Sequence, residues 1–146
     1  MELRSVEELM DLLYAGRHQH ALRTAALLRR SRPADKELQV AGLIHGIGPV
    51  LCPADEAGRA RSAAEAVRPL LGERVFRLVR GDSRAGSAHD DLLRLRQAAE
   101  ESRSARFDAG VLEDWRTVLE LLADRHARLG AVDRGRHRPL LPDGPS

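Results

Sequence analysis

Two histidines, His20 and His45, have the residue type and setting best suited to chemistry. His20 stands early in an amphipathic run, and His45 closes an apolar one and is followed by Gly46. An imidazole ionises near neutral pH, so two of them held together can pass a proton in either direction. The other histidines offer less. His18 lies two positions from His20 and points elsewhere on a helix, while His89, His126 and His137 read as surface residues. Cys52 sits in a proline-flanked stretch with no histidine beside it, and reads as a small apolar filler. Arg74, Arg77, Arg80 and Arg84 are spaced to form one basic face, either a solvated helix surface or an anion pocket.

The elements that must position the two histidines are helices almost throughout. Ser5 is a suitable N-cap, with Glu8 completing a capping box, for a helix that Gly16 ends. A second helix is expected over 18–30, with Leu22, Ala25, Ala26 and Leu28 facing inward. A third, over 34–45, is apolar nearly all round and should therefore be central. Gly46–Pro53, with two glycines and two prolines, reads as a loop. A helix over about 55–71 carries Pro69 in its last turn and stops at Gly72. A short helix over 73–80, a small polar loop over 81–88 and two further helices over about 89–104 and 109–129 follow. The stripe Leu112, Trp115, Val118 and Leu122 reads as core, with an exposed partner face as the alternative. From Ala131 the chain reads as a disordered tail. Alternation is never sustained, so no strand is expected. The expectation is an all-α single domain over 1–130 with a tail over 131–146.

Composition closes off several classes. The chain has 146 residues, 42% hydrophobic and 32% charged, enough for one core without disulfide or metal staples. Of 24 basic residues only Lys36 is lysine, a bias in keeping with a GC-rich bacterial genome. The formal net charge is only +2 and aromatics are 3%, which argues against a nucleic-acid binder. No run of 18 apolar residues suggests a membrane span, and MELRSVEELM lacks the basic start and apolar core of a signal peptide. A single cysteine excludes an intrachain disulfide and a cysteine-based zinc site. A cytoplasmic location is the resulting expectation.

The phrase QHALRTAALL around His20, followed some two dozen residues later by VAGLIHGIG around His45, resembles the HD-domain superfamily of helical metal-dependent phosphohydrolases. It is most similar to the branch containing di-iron oxygenases of phosphonate breakdown and inositol-type substrates. VRPLLGERV at 67–75 and LLRLRQAAEES at 92–102 extend the resemblance over roughly 18–129. The resemblance implies an HD-like helical bundle with about six His/Asp ligands for two metals. Here His20 and His45 match two of them. Gly46 stands where the doublet needs Asp, and Pro49 where the motif closes with His. Arg59, with Gly58, falls where another His is expected. Asp82 falls at a later ligand position, and Glu100, with Ala99, at the last. The family's substrate lysine would fall near Gly86.

These departures imply that the dinuclear centre is lost and that no metal or other cofactor is required. The expected function is metal-independent acid–base chemistry, such as elimination or cyclisation, on a small anionic molecule. His20, His45 and Asp82 are the acid–base candidates, with Arg59, Arg80 and Glu100 as substrate contacts. Two alternatives remain: a non-catalytic binding or assembly partner of another protein, with homo-oligomer formation open, and a mononuclear metal-dependent phosphohydrolase.

Overall fold

The computed structural model describes residues 2–16, 18–81, 87–104 and 106–137, and these are helical with no strand among them. The elements are α1 (Val6–Ala15), α2 (His18–Ser31), α3 (Lys36–Ile44), α4 (Gly48–Leu51), α5 (Arg59–Leu71), α6 (Glu73–Arg80), α7 (Ser87–Ser104) and α8 (Arg116–His137). Short 3-10 turns at His45–Ile47, Glu56–Gly58 and Leu112–Trp115 link them. No helix among the described residues is long and apolar enough to cross a membrane.

α3 is the axis of the fold. Every residue from Leu38 to Ile44 is buried, and the helix packs against α2, α6, α7 and α8. This is the outcome expected of a segment apolar on all faces. Asp35 starts it: its Oδ1 accepts the Leu38 N–H at 3.1 Å. The helix therefore begins one turn-fraction later than the proline at 33 suggested, because the Asp side chain takes the cap position. Buried Gln39 donates through Nε2 to the Arg32 carbonyl at 2.7 Å and the Pro33 carbonyl at 3.2 Å. It thus satisfies backbone acceptors released where α2 ends. α2 and α3 approach closely at Gly42, where a Cβ would lie 2.8 Å from Leu28 Cδ1 and 3.0 Å from Thr24 Cγ2.

At the α1 N-terminus Ser5 Oγ accepts the Glu8 N–H at 3.2 Å. Glu8 reaches back to the Arg4 N–H at 2.7 Å, one residue before the position a standard capping box would use. Gly72, with φ +98°, separates α5 from α6 in a conformation that other residues rarely adopt. Pro69 sits inside α5 without ending it, since the helix has only two residues left to run.

Other boundaries also differ from the sequence expectation, among them the start of α5, at Arg59 rather than near 55. Gly46–Pro53, expected as a loop, is largely a 3-10 turn followed by α4; Pro49 falls in the first turn of α4, where a missing N–H removes no intrahelical bond. The last helix does not begin at 109. Asp108 Oδ1 accepts the Gly110 N–H at 2.9 Å and Gly110 takes φ +85°, a side-chain turn that competes with helix. The same helix is described as far as His137, past the expected boundary at Ala131. Most of the loop expected over 81–88, and residues 138–146, lie outside the described residues.

One ionic cluster ties the helix ends together. Arg74 on α6 bonds both Asp35 oxygens at 2.7 Å, Glu37 at 3.1 Å and Asp91 on α7 at 3.1 Å. Arg32 at the end of α2 adds a longer contact to Asp91 at 3.5 Å. The Arg74 guanidinium, ahead of the Leu38 N–H, holds the Asp35 carboxyl below the usual aspartate range although partial burial works the other way.

Candidate functional site

α2 and α7 run antiparallel, with the start of α2 beside the end of α7. His20, in the first turn of α2, has Nε2 3.1 Å from the Ala99 carbonyl oxygen. A carbonyl only accepts, so Nε2 carries the proton, and in the neutral ring Nδ1 keeps its lone pair. One turn on, Thr24 and Ser102 hydroxyls meet at 2.9 Å in the buried seam, and Ser102 Oγ donates to the same Ala99 carbonyl at 2.8 Å. Arg23 Nε donates to the Ser102 carbonyl at 3.0 Å. These contacts fix the seam that fixes the ring of His20.

His45 comes from the other direction, as the residue that closes α3 and opens a 3-10 turn. Its position is set by the glycine that follows. A Cβ on Gly46 would lie 3.1 Å from Ala21 Cβ, and a Cβ on Gly16 would lie 2.4 Å from the Gly46 carbonyl oxygen. Gly46 is thus wedged between the end of α1 and the residue next to His20. An Asp at 46 would meet this contact directly.

The His45 ring reaches solvent, yet dense protein around it pushes its pKa below the ordinary histidine value. The nearby charge of His20 acts in the same direction. The His45 ring is thus both accessible and crowded by protein. It is therefore neutral at pH 7, with one ring nitrogen able to accept a proton. The two imidazoles belong to one electrostatic site.

The other expected site residues are placed as follows. Asp82 lies outside the described residues. Arg59 donates from Nε to the Cys52 carbonyl at 3.1 Å and from Nη2 to the Pro53 carbonyl at 2.9 Å, and sits 3.8 Å from Glu56; in this state it staples the turn before α5. Arg80 stands in the last turn of α6 with its guanidinium 5.8 Å from the centre of the Phe76 ring. Glu100 is on the exposed side of α7, 3.5 Å from Arg103. Among the described members of this set, His20 and His45 are linked by the effect of His20 on the His45 pKa.

Several other residues differ from expectation. Leu112, Trp115 and Leu122 are buried, Trp115 at 3% exposed, and Val118 packs against them; the stripe, shared between the 3-10 turn and α8, is core and not an exposed partner face. His126 is half-buried, its ring covering Gly72 rather than lying on the open surface. Arg74 is not part of a solvated basic face but the centre of the ionic cluster. Its carboxylate partners stand 39, 37 and 17 residues away in sequence, and only the capping role of Asp35 leaves a local signal. His18 packs edge-on to Tyr14, with ring centres 5.8 Å apart, away from His20 as their offset requires. Among the described residues no three His, Cys, Asp or Glu side chains converge to hold a metal ion.

Comparison with protein-family models, with curated proteins and with solved structures returned no match.

Proposed function

We propose that this chain is an acid–base enzyme, or the catalytic subunit of one, that acts on a small anionic substrate without a bound metal, on a degenerate HD-like helical bundle. The observation that carries the reading is the electrostatic pairing of His20 with His45. His45 supplies a base that is neutral at pH 7 and reaches solvent. His20 supplies a ring of fixed orientation, anchored through Nε2. In an elimination or cyclisation, the imidazole that takes a proton from the substrate becomes cationic and returns that same proton to the departing group, so the proton count closes and no redox partner is needed. An anionic substrate suits the pair because it favours the cationic imidazole that the first transfer creates.

The test uses the ring carbon–proton resonances of His20 and His45, with a panel of small carboxylates and phosphate esters added in the presence of EDTA. Expected are saturable shifts at both rings for at least one compound, lost in His45→Gln. Shifts that need added manganese, iron or zinc would favour the mononuclear hydrolase instead. Rings that respond to no compound, in a chain that co-purifies with a stable protein partner, would favour the assembly role.

A further inference from the structure

The opposite end of the α2–α7 seam holds a recess, away from the histidine pair. Twelve residues of α2 separate His20 from Arg32, about 18 Å at the helical rise. The recess has a volume of about 280 Å³ and is lined by Arg32, Asp90, Leu93, Arg94 and Gln97. Its charge is unequally satisfied. Arg94 Nε is buried and meets no acceptor among the described residues. A desolvated donor without a partner is unfavourable, and a charged one more so. Arg32 is only loosely engaged: its contact to Asp91 is 3.5 Å, whereas Asp91 is held more closely by Arg74 at 3.1 Å. Leu93, 43% exposed, adds an apolar surface between the polar groups.

We propose that this recess binds a small carboxylate. The carboxylate would lie between Arg32 and Arg94 and accept from both guanidiniums, drawing the Arg94 Nε–H, which is closed to solvent in this state, toward the recess, with the Gln97 amide as a further donor. Its short aliphatic part would lie on Leu93. Two guanidiniums in a confined, partly dry space suit a planar two-oxygen acceptor. Asp90, exposed and lining the same recess, repels a second negative charge, so a monoanion fits better than a dianion.

The test follows the Arg94 Nε–Hε resonance by nitrogen-resolved NMR while butyrate, succinate or inorganic phosphate is added, with sodium chloride at matched ionic strength. Expected is a saturable shift with butyrate that is at least several-fold tighter than with phosphate. R94Q and, separately, R32Q should each weaken butyrate binding about tenfold, as loss of a charge-assisted bond implies. L93A should remove the preference for butyrate over acetate. Following the Arg32 resonance in R94Q keeps the test decisive if Arg94 itself is lost to view. An unmoved Arg94 signal, equal shifts with chloride, tighter binding of phosphate than of butyrate, or undiminished affinity in R94Q would each overturn the proposal.

Discussion

Replacing Arg74 with Met would remove the one cation that bridges α3, α6 and α7 while keeping most of the side chain's length. The structure sets the size of the effect. An exposed ion pair is worth about 0–1 kcal/mol, and stripping the partner from a buried charge costs about 3–5 kcal/mol. Here the guanidinium side chain is 38% exposed while Asp35 and Asp91 are 22% and 13% exposed. Solvent screens the cation more than the anions, so the expected loss lies between those limits, about 2 kcal/mol at pH 7. The pH dependence follows from Asp35. Its folded pKa is depressed, so the stability it contributes is present above the ordinary value of 3.8 and is lost as pH falls through the lower folded value. Urea unfolding of both proteins across the acid range should show the gap closing once Asp35 protonates. A double-mutant cycle with Asp35→Asn at pH 7 should give a coupling of about 1 kcal/mol. A loss below about 0.5 kcal/mol at pH 7, within the range of ordinary surface changes, would refute the reasoning; so would a gap that stays constant down to strong acid.

Other substitutions probe the core and the histidine pair. Gly42→Ala gains about 1 kcal/mol of helix propensity but places a Cβ 2.8 Å from Leu28 Cδ1; overpacking at about 1–3 kcal/mol should outweigh the gain. Thermal unfolding should therefore show a lower midpoint, with shifted His45 resonances, and a higher midpoint with unchanged spectra would contradict the close α2–α3 contact. His20→Gln removes one of the two causes that lower the His45 pKa, so an NMR titration should show that pKa rise toward, but not reach, the ordinary 6.5 because burial remains. No change would mean that the two rings do not sense one another. Trp115→Ala, at a residue 3% exposed, should cost about 3–5 kcal/mol in chemical denaturation; a near-neutral effect would reinstate this side chain as a surface feature.

The elements legible in sequence were those whose cause is local. The apolar run of α3 announced a central helix because any exposed face would carry a penalty. Ser5 and Gly16 marked both ends of α1 because capping needs particular side chains at particular places. The start of α8 was less legible, since the Asp108–Gly110 turn competes with helix on nearly equal terms. For the site, His20 and His45 were visible as residue types, and the structure adds that His20 helps burial to lower the His45 pKa. Arg59 and Arg74 were visible only as charges. Their acceptors are backbone carbonyls in one case and carboxylates on other helices in the other, and neither pairing leaves a periodic trace along the chain. The same holds for Arg94, whose buried Nε depends on how α7 lies against α2.

The contact of Gly16 and Ala21 with Gly46 limits the order in which this sequence can change. A side chain at 46 brings its Cβ to 3.1 Å from Ala21, the immediate neighbour of His20, which must give by a few tenths of an ångström, whereas one at 16 meets the backbone just after His45 at 2.4 Å. Single replacements at these positions therefore act on the histidine pair before they introduce whatever chemistry the new side chain carries. Position 46 is therefore opposed by one side-chain contact, and position 16 by backbone. The two glycines thus hold the turn beside His45 unequally: Gly16 is locked by backbone, Gly46 by a side chain that can yield.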